Sequence, residues 1–328
     1  MQQFKERIIM KKQLNKLWAV ALIALVCCAL WGSAFPVIKI GYRQFGITDS
    51  GAGAKILFAG VRFVLAGVLS WAAGSAAAKK PLLPRKRDIP RIALLSLFHS
   101  ILQYSFFYLG LANCTGVKSS IINGSSPFVV ILLTTLIFRM ERLTPMKLLG
   151  CLLGFAGIVA INLGGGSGEL SGFAWNGEGF IFLSVLSYAG STILIKRFTA
   201  DGSDPVMMSA FQFAFGGAVM VLNGLALGGA SGTEWTVTPQ GGVTLLYLAL
   251  VSAAAYSLWA VLLKYNPVSR VAVFGFFTPV CGVLLSALLL GESEQAFRLR
   301  SLVSLALVCA GIWLVNLPEK SPGSSGKE

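Results

Sequence analysis

Acidic residues are scarce in this chain. Asp and Glu number 13 in 328 residues, against 27 Lys and Arg, and charged residues of both signs make up only 12%. A soluble domain carries about 25%, so too little polar surface is present to cover the chain in water. Histidine occurs once, as His99, which excludes most histidine-based metal schemes and leaves no Ser/His/Asp constellation. The six cysteines follow no ligand spacing. Cys27, Cys28, Cys151, Cys281 and Cys309 fall within apolar runs and only Cys114 approaches a loop, so reduced, buried small residues are expected. There is no Walker loop, which excludes direct drive by ATP. Neither a metal nor a cofactor is expected, and the chain is not expected to be an enzyme. Period-two alternation of polar and apolar residues is also absent, which excludes a membrane β-barrel.

What is present is apolar length. Hydrophobic residues make up 55% of the chain. They fall into ten runs, at 17–40, 53–76, 90–112, 118–138, 145–164, 176–198, 204–228, 238–264, 268–290 and 299–317. Each is near the ~20 residues that a helix needs to cross a bilayer. The basic start before the first run resembles a signal peptide, but that run exceeds 20 residues and more spans follow, so it is expected to be retained. With the N-terminus inside, 20 of the 27 Lys and Arg lie on inner segments, with clusters at Lys5–Lys16 and Lys79–Arg91. The outer loops hold Lys39, Arg43, Lys55, Lys118, Arg298 and Arg300. This bias predicts cytoplasmic termini in a bacterial cytoplasmic membrane, and it accounts for the net charge of +14 without nucleic acid.

The chain also repeats itself. Tyr104-Ser105 recurs 152 residues later as Tyr256-Ser257, Lys118 as Arg270, and Ser126-Pro127 as Thr278-Pro279. Ala156-Gly157-Ile158 and Asn162 return as Ala310-Gly311-Ile312 and Asn316. Trp31 and Lys39 share a spacing of eight with Tyr188 and Lys196. Five spans per unit is an odd number, so the two units must run in opposite senses. The expected fold is therefore all-α and membrane-integral, with ten transmembrane helices in two inverted five-helix repeats. Inverted repeats underlie alternating access, with the site near the midplane. The expected segments are a basic N-terminus (1–16), a first repeat (17–162), a Gly-rich linker (163–175), a second repeat (176–317) and a disordered tail (318–328).

Three patterns carry a family resemblance. They are Leu30-Trp31-Gly32-Ser33-Ala34-Phe35-Pro36 with Lys39, then Val61-Arg62-Phe63, then Pro127…Glu141 with its echo Pro279…Gly291-Glu292. In these the chain resembles the EamA-type transporters of the drug/metabolite transporter superfamily, over about residues 17–317. The resemblance implies metabolite transport, often export of amino acids or related compounds, with a central cavity between the halves. An importer or exchanger of another small organic solute is the alternative. A membrane-embedded enzyme would need clustered acid/base or metal-binding residues, and a channel would need a selectivity filter; the loops show neither.

The candidate site residues are polar or aromatic groups at membrane depth. Trp31, Phe35 and Lys39 share one helix face, as do Tyr188, Thr192 and Lys196 in the matching helix. These faces line the pathway, or else carry interfacial aromatics and snorkelling lysines. Arg62 is the one strongly charged residue well inside a span, with structural ordering, snorkelling and substrate contact as its three readings. His99, Gln103 and Tyr104 lie on the third span, Asn123 and Ser126 on the fourth. Tyr256 and Trp259 lie on the eighth and Thr278 on the ninth. Lys39, Lys118, Lys196 and Arg270 are the expected mouth charges. The expected partners are a small-molecule substrate and membrane lipid. Gly150, Gly154 and Gly157 read as a packing face within a monomer, or as a dimer face.

Overall fold

The computed structural model describes residues 16–139, 143–162, 173–231, 235–266, 271 and 273–317. Among them no strand occurs. Seven helices are long and apolar enough to cross a membrane: α1 (Leu17–Gln44), α2 (Ala52–Ala78), α3 (Asp88–Ala112), α4 (Gly116–Ile137), α6 (Trp175–Ala200), α7 (Pro205–Ala226) and α8 (Pro239–Trp259, continuing to Tyr265). Three apolar helices are shorter: α5 (Pro145–Asn162), α9 (Phe277–Leu290, entered through a 3₁₀ turn at Val273–Phe276) and α10 (Leu299–Val315). The apolar runs thus all become helices, with ends shifted by a few residues where caps rather than hydropathy decide. Asp204 and Thr238, for instance, cap α7 and α8 through their side chains. The linker glycines 164–168, the basic start to residue 15, the tail from 318, Glu141 and Arg270 lie outside the described residues.

Small residues fix the pairing of helices. Gly53, Gly60 and Gly67 recur every seven residues along α2 and meet α7 backbone. A Cβ on Gly60 would stand 2.6 Å from the Val221 nitrogen. Gly217 and Gly224 answer from α7 against Val64 and Leu57. In lipid, where no hydrophobic drive separates helix from solvent, such close backbone approach is what holds helices together. Gly150, Gly154 and Gly157 of α5 do the same against α10 and Phe128, so these glycines are used within one chain. Around the pairs α2–α7, α5–α10 and α4–α9, helix α1 packs on α8 and α9 while α6 packs on α3 and α4. Helix α2 also touches α8, and α7 touches α3. Exchanging the first five helices for the second five maps these pairings onto one another.

Irregular segments break this regularity; besides π-helical stretches at Leu133–Ile137 and Trp175–Gly179, three of them lie nearer the middle of their helices. Helix α3 is π-helical over Ser96–Leu102, whereas the matching part of α8 is ordinary α-helix. Helix α4 turns at Gly124-Ser125 before Pro127, at the place where α9 has its 3₁₀ entry before Pro279. Proline cannot donate to the preceding turn, so both sites release carbonyls inside the protein. π-bulges are rare and concentrate at functional sites; this one carries His99.

Candidate functional site

The related tyrosines of the two repeats touch. Tyr104 Oη and Tyr256 Oη lie 3.2 Å apart, where α3 and α8 face each other. Tyr256 Oη is also 3.2 Å from His99 Nε2, and the Gln212 amide nitrogen is 3.4 Å from His99 Nδ1. Around the imidazole stand the rings of Tyr104, Tyr188, Phe213 and Tyr256, with centroids 5.4–6.1 Å away. Trp31 extends the cluster, its ring 5.5 Å from Tyr256 and 5.1 Å from Trp259. Its indole nitrogen is buried without a hydrogen-bond partner, as are Gln103 Oε1 and Gln212 Oε1. The centre of the molecule is therefore aromatic, with a few polar atoms left unanswered.

Trp31, His99, Tyr104, Tyr188, Tyr256 and Trp259 are thus assembled as one cluster. Other expected residues sit elsewhere. Phe35 packs on Phe107 at 5.5 Å, one turn beyond Trp31. Ser126 Oγ donates to the Asn123 carbonyl, which closes the α4 turn. Thr192 Oγ1 donates back to the Tyr188 carbonyl, and Thr278 lies against Cys28. Arg62 is buried and does not snorkel. Its Nε donates to the Leu248 carbonyl at 3.0 Å, and its terminal nitrogens donate to Ser252 Oγ at 2.9 Å and to the Tyr108 hydroxyl. Phe63 shields it, stacked on Phe213 at 5.4 Å.

Gln212 and Phe213 are additions to the expected set, and the sequence held a signal for them. Val61-Arg62-Phe63 returns 150 residues later as Phe211-Gln212-Phe213. The environments correspond as well. Arg62 bonds Leu248 and Ser252 of α8, while the Gln212 carbonyl receives Ser96 Oγ at 3.2 Å and Ser100 Oγ at 3.1 Å from α3. Ser100 matches Ser252 at the offset of 152.

The mouth lysines are not bare charges. Helix α9 ends on Gly291 in the left-handed region at φ 72°, a termination that favours glycine. The next residue, Glu292, then reaches the start of α4, accepting from Gly116 N at 3.1 Å and Val117 N at 2.9 Å. An anion at a helix N-terminus meets both free N–H groups and the positive dipole end. Lys39 Nζ lies 3.9 Å from the same carboxylate, and Lys118 Nζ lies 2.9 Å from Glu178 in the first turn of α6. Both ion pairs join the first half to the second at one end of the molecule. Buried among them, the Cys114 thiol is pushed up to about 12, chiefly by burial. Lys196, at the other end, is exposed.

Comparison with known proteins gives this arrangement a class. The EamA-like transporter family matches residues 18–163 and again 175–317, so the chain belongs to that family: it is a multi-pass membrane transporter, not an enzyme. Over 324 residues it is 27% identical to the uncharacterized transporter YetK of Bacillus subtilis, covering 96% of this chain and 91% of that one. It is 26% identical over 304 residues to a probable amino-acid metabolite efflux pump of Salmonella typhimurium, covering 89% and 93%. A crystal structure 19% identical in sequence shares the fold at a TM-score of 0.60, over 90% of this chain and 96% of that one.

Proposed function

We propose that this protein is a secondary transporter that exports a small metabolite, such as an amino acid, by alternating access. The carrying observation is the contact between Tyr104 and Tyr256, which supports a shared aromatic and polar site where the halves meet. The exchange of helix partners between halves supports two inverted five-helix repeats, with α5, α9 and α10 completing ten spans. The basic residues on alternate loops support an orientation with both termini in the cytoplasm of a bacterial cell. In that orientation the Lys39–Glu292 and Lys118–Glu178 pairs close the outer end. Phe35 on Phe107 forms a closed layer beneath them.

Trp31, Tyr104, Tyr188, Tyr256 and Trp259 are the walls. Rigid aromatic rings supply contact area at little entropic cost. His99, Gln103 and Gln212 supply polar contacts, and Arg62 lies one ring behind. Asn123, Ser126, Phe35, Thr192 and Thr278 serve as hinge and lining, while Lys196 and Arg270 take the inner end. The repeat reaches completion within one chain, so the working unit is a monomer in lipid, and no cofactor is assigned. Export is inferred from the efflux pump among the relatives. Purified protein in liposomes tests the carrier: saturable flux of a defined solute, accelerated by the same solute on the opposite side, is the expected result. Flux that rises linearly with concentration and shows no countertransport contradicts it.

A further inference from the structure

Arg62 is a buried cation for which the described residues supply no counter-ion. Its bonds go to one carbonyl and two hydroxyls, and among the described residues no carboxylate pairs with it. Glu178, Glu292, Asp88 and Asp201 each answer a different cation. A buried charge met only by neutral dipoles is unfavourable, and its field is far less damped there than in water. Only one ring separates it from the central cluster. The guanidinium carbon is 4.9 Å from the centre of Phe63, which is 4.1 Å from that of Tyr104.

On the other side of that ring the cluster offers donors. Trp31 Nε1–H is buried and unpartnered. With the Gln212 amide nitrogen facing Nδ1, that ring nitrogen is the acceptor and Nε2 carries the proton. Nε2 then donates to Tyr256 Oη, and the contact between Tyr256 Oη and Tyr104 Oη uses one of their two hydroxyl hydrogens, so one is left over. Among the described residues no carboxylate bonds to the cluster to receive an ammonium group. The amide oxygens of Gln103 and Gln212 also lack partners, so the occupant must carry a donor of its own.

We propose that the substrate brings the missing counter-ion: the site takes an organic monoanion that also carries a hydroxyl or amide donor. Its carboxylate is received by Trp31 Nε1–H and the spare hydroxyl hydrogen of the Tyr104–Tyr256 pair in the field of Arg62, and its apolar body lies against Trp31 and Trp259. This rests on the carrier function proposed above and narrows its substrate class from amino acids and related compounds to net anions.

Four probes of one shape and different charge test it on the purified full chain by calorimetry. They are mandelate (anion), mandelamide (neutral), 2-amino-1-phenylethanol (cation) and phenylglycine (zwitterion). Mandelate should bind at least about tenfold more tightly than each of the others, a difference of about 1.4 kcal/mol. Arg62→Gln should abolish the preference of mandelate over mandelamide. If that variant does not fold, Trp31→Phe, which keeps a ring and removes the N–H, should weaken mandelate about tenfold. Equal binding of mandelamide, a preference for the zwitterion or the amine, or binding of none of the four overturns the anion assignment. Those outcomes leave the carrier intact as long as countertransport of some solute is seen. Absence of any saturable flux defeats the carrier instead.

Discussion

The surroundings of Arg62 and of Gln212 are one local design built twice with different chemistry. Each residue precedes a phenylalanine, and the two phenylalanines stack on each other. Each touches a helix of the other half through serines: Ser252 of α8 for Arg62, and its match Ser100 together with Ser96 of α3 for Gln212. In the first half a guanidinium donates from its side chain into α8. In the second the backbone carbonyl of Gln212 does the accepting, and its side chain is released to face His99. His99 has Val251 as its counterpart in α8, and only α3 has the π segment that carries it. A duplicated scaffold can thus keep its helix contacts while one copy becomes a buried cation and the other a polar contact at the centre.

The largest difference between the halves should appear when both residues lose their polar groups. Arg62→Leu leaves the Leu248 carbonyl and the Tyr108 and Ser252 hydroxyls without their donor. At roughly 1–3 kcal/mol for each unsatisfied buried group, it should sharply lower folded yield. Gln212→Leu keeps the backbone carbonyl and its two serine bonds, and should fold near normally with altered substrate affinity. Size-exclusion profiles after mild solubilisation, set beside affinity per folded molecule, separate the two. Equal yields would mean that Arg62 is not the structural member of the pair.

A second contrast sets the two ends of the molecule against each other. Both pairs are half-buried, so removing one partner should cost less than the roughly 3–5 kcal/mol of a fully buried pair, but still leaves the other charge partly shielded from water. Glu292→Gln and Lys118→Gln should therefore loosen the Lys39 end. Cys114 reports on that loosening. At about 12 its thiol is almost wholly protonated at pH 8, and the reactive thiolate is scarce. Maleimide labelling of Cys114 should be slow in the parent protein and at least about tenfold faster in Glu292→Gln, because opening admits water and lowers the penalty on the thiolate. Unchanged labelling would show that these ion pairs do not close the end. Lys39→Gln with Lys118→Gln should weaken transport of a carboxylate substrate at low salt, and less so when salt screens the charges over about 8–10 Å.

The smallest effect sharpens the comparison most finely. Ser252→Ala removes a bond from a cation, worth about 1.5–3 kcal/mol, and Ser100→Ala removes a neutral one, worth about 0.5–1.5. Thermal melting of the two variants should rank them in that order. The reverse order would move the charge of Arg62 away from Ser252.

Much of this was legible before any coordinates. Apolar runs near 20 residues announced the helices, and the Tyr104/Tyr256 echo marked equivalent positions in the two halves; that their hydroxyls touch follows from the packing and not from the echo. Gln212 was missed although its echo of Arg62 was in plain sight at a slightly different offset; an uncharged amide in an apolar run draws less notice than a guanidinium. The pairing of Glu292 with the α4 N-terminus was hidden for another reason. It depends on a left-handed glycine turning the chain across to another helix, 175 residues away, a long-range closure that periodicity does not encode. Phe35, Ser126 and Thr192 share a face or a turn with other expected residues, but their rings or hydroxyls are taken up by nearer partners. Spacing places a residue on a face; it does not fix the height at which neighbours from other helices close over it.

The most direct measurement is substrate affinity per folded molecule in Trp31→Ala, Tyr104→Ala, Tyr188→Ala and Tyr256→Ala, measured by countertransport in liposomes with folded protein quantified in the same preparation. If the two halves share one aromatic site, each variant should still insert and should show altered affinity or substrate range. The Tyr104 and Tyr256 variants should show similar changes, because their hydroxyls bond each other. Normal affinity in all four, with any loss confined to folded yield, would contradict a shared site at the meeting of the halves.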